Sequence, residues 1–168
     1  MKSIHRVLIT SVGGYLGKKN LEFLKKSFPG EIWILATDFD YVENLNDISD
    51  KFYRVPKGNS KKYFITLIKI VKDNNIKIII PCSDEEALTL SLHRKEFEKI
   101  NVTVACQTYE VNRIITNKVL TYQTLRNNGM LYSDFEVVNS FKELLDQSNK
   151  FFSKYCEFVI KSPVARGN

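Results

Sequence analysis

The first forty residues combine short apolar runs with one amphipathic stretch. Residues 6–10 and 32–37 are apolar and predict two buried β-strands. Between them, residues 17–28 repeat apolar positions at helical spacing, with lysines on the opposite face, and Pro29-Gly30 ends the pattern. A helix between two buried strands is typical of a βαβ unit, so the pattern predicts a parallel sheet.

The alternation of strands and helices continues to residue 107. Three further apolar runs predict strands at residues 52–55, 76–80 and 102–105. A helical face covers residues 64–71, and a second helix begins near Ser83. These elements predict an α/β fold, a Rossmann-like doubly wound parallel sheet of about five strands, in a domain that spans residues 1–107.

From residue 108 the pattern changes. Helices are predicted at residues 117–128 and 141–152, and strands at residues 135–138 and 157–161. A segment of about 60 residues with these elements is too short to close a core of its own. Residues 108–168 are therefore predicted to form a second, incomplete α/β subdomain.

Composition and charge narrow the class of protein. A hydrophobic content of 43% and a charged content of 26% are ordinary for a globular protein. The net charge of +6 comes from scattered lysines, not from a basic stripe, so nucleic-acid binding is not predicted. No apolar run approaches the ~20 residues that span a membrane. The three cysteines are far apart and fit reduced thiols, so we predict a cytoplasmic protein.

A glycine-rich turn, Thr-Ser-Val-Gly-Gly-Tyr-Leu-Gly at residues 10–17, joins the first strand to the first helix. Glycines there let backbone N–H groups approach an anion at the helix N-terminus. The dinucleotide fingerprint G-x-G-x-x-G fails at Val12, although Asp38 ends the second strand as a ribose-binding acid would. Three interpretations stay open: a packing turn, an NAD site, or a substrate or phosphate loop built from Ser11, Gly13 and Gly14.

A group of acids follows the strand at residues 76–80. The sequence Pro-Cys-Ser-Asp-Glu-Glu at residues 81–86 lies just past the carboxyl end of a central strand, where open α/β sheets place ligands. Asp84 and Glu85 are therefore candidates for binding a substrate amine or a metal. The alternative is a helix capping box that begins at Ser83, with acids stabilised by the helix dipole.

Two lysines in the second half of the chain are candidates for binding an anion. Lys118 opens a predicted helix, and Lys161 ends the apolar run at residues 157–161. Burying an ammonium group without a counter-ion is costly, so an anion is expected near Lys161. The sequence at residues 163–168, Pro-Val-Ala-Arg-Gly-Asn, is typical of a flexible loop that covers phosphates. Lysines that reach water at both positions are the alternative.

Together these segments resemble the ATP-grasp superfamily, whose N-terminal part is a Rossmann-like domain. The resemblance is carried by Ser-Asp-Lys-Phe-Tyr-Arg-Val-Pro at residues 49–56, Ile-Ile-Pro-Cys-Ser-Asp-Glu at 79–85, Asn-Lys at 117–118 with Gly129, and Lys-Ser-Pro-Val-Ala-Arg-Gly-Asn at 161–168. Asn117 replaces the usual Asp, and Ala165 replaces a common Gly. Within the superfamily, these segments resemble carbamoyl-phosphate-synthase-like and biotin-carboxylase-like proteins.

The resemblance implies an ATP-dependent ligase that activates a carboxylate or bicarbonate as an acyl phosphate for attack by an amine. By position, Lys118 and Lys161 would contact ATP phosphates, and Arg166 and Gly167 would belong to the mobile loop. ATP and Mg²⁺ would be the cofactors, with the metal ligands and catalytic residues outside this chain. The chain alone is therefore expected to be an inactive N-terminal fragment. Homodimer formation stays open, and neither nucleic acid nor a membrane is an expected partner.

Two other classes of function stay open. An NAD(P)-dependent short-chain dehydrogenase would need a Tyr-x-x-x-Lys pair well after the midpoint of the sheet, but the pairs at residues 15–19 and 53–57 come too early. A non-catalytic nucleotide-binding module that uses only the first domain is the second alternative.

Overall fold

A computed structural model of the protein describes residues 4–43, 45 and 48–164. The chain divides into two compact units, residues 1–112 and residues 113–168, called unit 1 and unit 2 below. Unit 1 contains a five-stranded sheet in the order β3-β2-β1-β4-β5, with every pair of neighbours parallel. The strands are β1 (His5–Ile9), β2 (Ile32–Asp38), β3 (Lys51–Arg54), β4 (Ile78–Ile80) and β5 (Thr103–Val104). The predicted Rossmann-like parallel sheet is confirmed.

Helices cover both faces of this sheet. They are α1 (Tyr15–Ser27), α2 (Tyr63–Asp73), α3 (Asp84–Leu92) and α4 (Arg94–Glu98), and α5 (Tyr109–Ile115) follows the last strand along the chain. Because successive strand residues point to opposite faces, the buried strands feed two separate cores. Leu8 and Ile79 pack with residues of α2, α3 and α4, whereas Ile9 and Ile34 pack with Leu21 of α1. This arrangement is the doubly wound sandwich that the sequence predicts.

Helix α5 explains where the two units separate. The compact unit runs to Asn112, and the predicted domain boundary after residue 107 stays a prediction. The side chain of Asn112 is buried and donates hydrogen bonds to the carbonyl oxygens of Ala87 at 3.4 Å and of Gln107 at 3.1 Å. These bonds attach the first part of α5 to α3. Helices α4 and α5 were not predicted, because elements this short show little periodicity.

Unit 2 contains two helices among its described residues, α6 (Lys118–Asn127) and α7 (Phe141–Lys154), close to their predicted positions. Both begin with a capping side chain: Asn117 accepts from the Leu120 N–H at 3.2 Å, and Ser140 accepts from the Glu143 N–H at 3.2 Å. Neither helix contains a buried residue. Apolar side chains outside these two helices are exposed as well, such as Leu131 at 98% and Val159 at 76%.

The two strands predicted in unit 2, at residues 135–138 and 157–161, are wrong. Both segments are irregular in the structure. A strand needs a neighbouring strand to pair its backbone groups, and the described part of unit 2 offers none. The apolar residues pack against helices instead. Phe135 stacks on Tyr122 of α6 with ring centres 5.1 Å apart, and Phe158 lies 4.7 Å from Phe152 of α7.

Candidate functional site

The carboxyl ends of β1 and β4 meet where the winding of the sheet reverses direction. A turn at residues 10–14 leads from β1 into α1, and residues 81–83 lead from β4 into α3. The N–H of Thr10 donates to the carbonyl of Ile80 at 3.2 Å and joins the two loops at their base. Open parallel sheets bind ligands at such a switch point, because the two loops diverge there and leave a crevice.

Glu86 is the centre of a hydroxyl cluster at this switch point. Its Oε2 atom accepts hydrogen bonds from the hydroxyls of Thr10 at 2.5 Å, Ser11 at 2.6 Å and Ser83 at 2.9 Å. Thr10 is fully buried and Glu86 is 4% exposed. The buried carboxylate is thus satisfied by neutral donors, with no basic side chain bonded to it in the described part of the chain. We call these four residues the Glu86 cluster.

The loop after β3 encloses Glu86 from the other side. A Cβ atom at Gly58 would lie 2.7 Å from Glu86 Cγ and 2.8 Å from its backbone nitrogen, so only glycine lets the loop lie directly on the start of α3. The hydroxyl of Thr89 donates to the Gly58 carbonyl at 2.6 Å and holds the loop there. Within the Glu86 cluster, Ser11 and Ser83 are half-buried, whereas Thr10 and Glu86 are buried.

Tyr63, at the start of α2, is directed at the same cluster. The side chain is fully buried, and no group has hydrogen-bonding geometry with its hydroxyl, although the Glu86 and Thr10 side chains are close enough to interact with it. Burial, followed by the nearby Glu86 carboxylate, raises the pKa of the Tyr63 phenol well above its usual value. The phenol is therefore neutral at physiological pH, with hydrogen-bonding capacity left over.

Tyr63→Phe tests this description of the hydroxyl. Since no hydrogen bond is lost, we expect stability at neutral pH to be unchanged or higher by up to about 1 kcal/mol. The pKa of Tyr63 is raised in the folded state, so wild type loses stability as the pH rises above the unfolded pKa of about 10. The variant should lose less stability than wild type between about pH 9 and about pH 11. Urea unfolding across this range measures both effects.

The control for this experiment is Tyr41→Phe, which removes an exposed phenol. This variant should lose as much stability at alkaline pH as wild type does. A loss of more than about 1 kcal/mol at neutral pH in Tyr63→Phe would show that the hydroxyl is bonded, and would contradict the description above.

Three N–H groups of the glycine-rich turn, those of residues 12–14, donate hydrogen bonds to other groups of the protein. Val12 donates to the Thr37 carbonyl at 3.3 Å, Gly13 to Asp38 Oδ2 at 2.8 Å, and Gly14 to the Ser11 carbonyl at 3.1 Å. In a nucleotide-binding turn these groups would face a phosphate. Asp38 is buried, and its Oδ1 accepts from the Asp40 N–H at 3.1 Å. Asp38, which would bind the ribose in a dehydrogenase, thus already accepts a hydrogen bond from the glycine-rich turn.

The five residues predicted to bind a substrate lie around this crevice in different roles. The Ser11 hydroxyl belongs to the Glu86 cluster, while the Gly13 N–H is bonded to Asp38 and the Gly14 N–H to the Ser11 carbonyl. Asp84 is exposed and Glu85 is half-buried, both in the first turn of α3. The structure brings Ser11 to Glu86, not to these two acids. A binding role for the five residues stays a prediction.

The sequence pattern does not single out Glu86 or Tyr63 as members of the site. The capping-box pattern was a partial signal for Glu86, because it places a glutamate three residues after Ser83. In the structure the Glu86 N–H donates to Ser83 Oγ at 3.4 Å, as in a capping box. The carboxylate, however, turns toward the end of β1. Only the order of the strands reveals that partner.

Unit 2 contains a cavity of about 700 Å³ lined by α6, α7 and the two irregular segments. Lys118 and Lys161 both line it, together with the aromatic side chains of Tyr122, Phe135 and Phe158. The N–H of Lys118 donates to the carbonyl of Pro163 at 3.0 Å, which ties the start of α6 to the chain that follows Lys161. Two cations and an apolar wall are thus brought to one cavity. Arg166 and Gly167 lie outside the described residues.

An ion pair holds one wall of this cavity. Asp134 Oδ2 accepts from Lys154 Nζ at 2.5 Å and from the Tyr155 hydroxyl. The hydrogen bond from Lys154 lowers the pKa of Asp134, and the same bond raises the pKa of Lys154. Both charged groups are exposed, so the pair contributes little stability. Its effect is positional, because it attaches the segment containing Phe135 to the end of α7.

A sequence profile of the PylC-like N-terminal domain matches residues 7–105, more than half of the chain. The chain belongs to the PylC-like N-terminal domain family. The matched region contains the whole Glu86 cluster, whereas Lys118 and Lys161 follow it. Comparison with curated proteins gives no match.

Solved structures share the fold over nearly the whole chain. The N5-carboxyaminoimidazole synthetase of Staphylococcus aureus is 16% identical, with a TM-score of 0.60 over 87% of this chain and 36% of that one. The biotin carboxylase domain of Hydrogenobacter thermophilus 2-oxoglutarate carboxylase is 12% identical, with a TM-score of 0.56 over 90% and 34%. An L-amino acid ligase from Bacillus licheniformis is 12% identical, with a TM-score of 0.57 over 90% and 43%.

These matches establish fold, since all identities are below 25%. The chain spans between 34% and 43% of the length of these three proteins. The PylC-like N-terminal domain and its structural neighbours confirm the predicted resemblance to the N-terminal region of ATP-grasp ligases.

Over residues 4–43, 45 and 48–164 of this PylC-like chain, no group of three or more His, Cys, Asp or Glu side chains is placed to hold a metal ion such as Mg²⁺. Every helix in the same part is too short or too polar to cross a bilayer.

Proposed function

We propose that this chain is the N-terminal part of an ATP-dependent ligase that activates a carboxylate or bicarbonate as an acyl phosphate for attack by an amine. The observation that carries the proposal is the cavity of unit 2, which Lys118 and Lys161 both line. The names of the structural neighbours support it, because they include a carboxylase domain bound to MgADP and bicarbonate and an amino acid ligase.

The cavity of unit 2 suits the phosphate end of ATP. Phosphoryl transfer depends mostly on positioning and on neutralising the charge of the phosphate oxygens, and two lysines supply both functions. The bond between the Lys118 N–H and the Pro163 carbonyl fixes the two cationic segments relative to each other. Mg²⁺, when bound with ATP, would neutralise further charge. Its ligands are expected outside the described residues, so we derive no step through the metal.

In the proposed reaction the carboxylate oxygen attacks the γ-phosphorus of ATP, and ADP leaves. The amine then attacks the carbonyl carbon of the acyl phosphate, and inorganic phosphate leaves as the new bond forms. This chain would hold ATP phosphates in unit 2 and contribute substrate contacts from unit 1. Homodimer formation belongs to the proposal too, since the carboxylase domain named above is described as a dimer. The cytoplasmic location stays a prediction.

Replacing Lys161 with alanine tests the proposed ATP site. We expect wild type to bind ATP with a Kd near 1 mM, equivalent to about −4 kcal/mol, because the chain supplies only part of a site. Lys161→Ala should weaken binding at least about tenfold, since it removes a charge-assisted contact worth roughly 1.5–3 kcal/mol. Lys118→Ala should do the same. Isothermal titration calorimetry measures all three.

The matched control is Lys150→Ala, which removes an α7 lysine that does not line this cavity. It should bind ATP as wild type does, and all variants should keep the circular dichroism of the folded chain. ATP binding that is unchanged in both Lys118→Ala and Lys161→Ala would contradict the proposed site.

A further inference from the structure

The loop that joins β3 to α2 in unit 1 is strongly basic. Residues 54–62 contain four cations, Arg54, Lys57, Lys61 and Lys62, and no acid. All four side chains are exposed, and none of them forms an ion pair within the part of the chain that the structure describes. The loop therefore presents four uncompensated positive charges on one short stretch of surface. We call residues 54–62 the basic loop.

The backbone of the basic loop is fixed by the rest of unit 1. The Val55 N–H donates to the Asp38 carbonyl at 2.8 Å, and the Gly58 carbonyl accepts from a hydroxyl of α3 at 2.6 Å. The Ser60 N–H donates to the Lys57 carbonyl at 2.8 Å, which closes a turn just before α2. The cations thus lie on an ordered backbone, so a partner that binds them need not order the loop first.

Two lysines of the basic loop oppose the dipole of α2. Lys61 and Lys62 directly precede the first residue of this helix, its first turn has no acid, and Lys62 makes no side-chain capping bond. The amino end of a helix carries partial positive charge and favours anions, so cations at this end are unfavourable for folding. A sequence that breaks such a local rule without an internal compensation often does so at a functional site. A negatively charged partner would supply the compensation.

The surroundings of the basic loop favour an acidic protein segment over a nucleic acid. Lys57 Nζ lies 5.4 Å from the centre of the Phe39 ring, and Arg54 Nε donates to the Phe39 carbonyl at 3.4 Å. The exposed acids Asp40 and Glu43 follow Phe39 along the chain. These acids interrupt the positive surface, whereas a nucleic acid backbone is bound along an extended basic stripe. A short run of carboxylates matches four cations.

We propose that the basic loop of unit 1 is a docking surface for an acidic segment of a partner protein, whose carboxylates pair with Arg54, Lys57, Lys61 and Lys62. This goes beyond the proposed ligase function and does not rest on it. Exposed ion pairs are individually weak and are screened by salt, so the complex is salt-sensitive and reversible.

The test is an NMR titration of the whole ¹⁵N-labelled chain with an end-blocked hexaglutamate peptide. We expect saturable shifts at the amides of Lys57, Lys61 and Lys62, with a Kd below about 1 mM at low salt. Added NaCl should weaken the binding. Lys61→Gln/Lys62→Gln should weaken it about fivefold, the loss expected for two exposed ion pairs. The matched control, Lys95→Gln/Lys99→Gln, removes two exposed lysines of α4 and its C-cap and should bind as wild type does.

Urea unfolding of the same two variants separates a docking role from a structural one. Lys61→Gln/Lys62→Gln removes cations from the amino end of α2, so its urea midpoint should rise above that of wild type. Lys95 and Lys99 lie at the carboxyl end of α4, where cations are favourable. The control variant should therefore not gain stability.

A lower urea midpoint in Lys61→Gln/Lys62→Gln would show that these lysines stabilise the fold, and would overturn the proposal. Equal shifts with neutral hexaglutamine, no saturation with hexaglutamate, or unchanged binding in the folded double variant would overturn it as well. Tighter binding of an oligothymidylate or of inorganic phosphate at the same amides would assign the loop to a nucleic acid or to a small anion instead. ATP binding in unit 2 is measured separately, so either result leaves the other standing.

Discussion

Gly17→Ala is expected to destabilise the chain by about 2–3 kcal/mol, because α1 begins in direct contact with the glycine-rich turn. A Cβ atom at Gly17 would lie 2.2 Å from the carbonyl oxygen of Ser11 and 2.9 Å from Val12 Cα. These are backbone atoms, so no side chain can rotate away. The turn could move only by straining the bonds from Gly13 to Asp38 and from Ser11 to Glu86. Urea unfolding measures the change.

Gly14→Ala is the matched control on the same turn. A Cβ there would lie 3.4 Å from the Ser11 carbonyl oxygen, which is an ordinary contact, and the backbone φ of −81° suits alanine. We expect a loss of less than about 1 kcal/mol, mostly from the poorer N-cap. Alanine is favoured over glycine inside helices, so an unchanged or more stable Gly17→Ala variant would contradict the close packing of α1 on the turn.

Glu86→Ala is expected to cost about 3 kcal/mol or more. The substitution leaves the buried Thr10 hydroxyl without its acceptor and removes the link between the β1 turn and α3. It also opens a void beneath Gly58, which lies directly on the Glu86 side chain. Glu86→Gln keeps an acceptor oxygen and should lose less stability than Glu86→Ala.

Glu98→Ala provides the control for Glu86→Ala, because exposed Glu98 lies on α4 away from the switch point. It should change the free energy of unfolding by no more than about 0.5 kcal/mol. Equal losses in Glu86→Ala and Glu98→Ala would mean that the hydroxyl cluster does not stabilise unit 1. Chemical denaturation followed by tryptophan fluorescence reports on unit 1, since Trp33 lies in β2.

The parallel sheet was predictable because burial on both faces makes its strands apolar throughout. The run of isoleucines at residues 78–80 has no polar face, so it could only be a buried strand between two layers. Residues 157–161 carry a similar apolar run, yet form no strand. Sequence shows that such a segment prefers an extended form, but not whether a neighbouring strand is there to pair with it.

The candidate sites were predictable to different degrees. The family resemblance singles out Lys118 and Lys161, which both line the cavity of unit 2, and their contact with ATP phosphates stays a prediction. The Glu86 cluster was not predictable, because Thr10 and Glu86 are 76 positions apart and meet only where β1 pairs with β4. The bond from the Gly13 N–H to Asp38 was not predictable either, since it depends on how the turn folds back.

The most direct test of the proposed ligase function is an NMR titration of this chain with ATP and with NAD. The ligase proposal predicts that ATP shifts the amides of Lys118 and Lys161 and the aromatic signals of Tyr122, which line the cavity of unit 2. It predicts no saturable effect of NAD at residues 12–14, where the N–H groups are already bonded. Micromolar NAD binding at that turn, unchanged by Lys161→Ala, would contradict the ligase proposal and restore the dehydrogenase alternative.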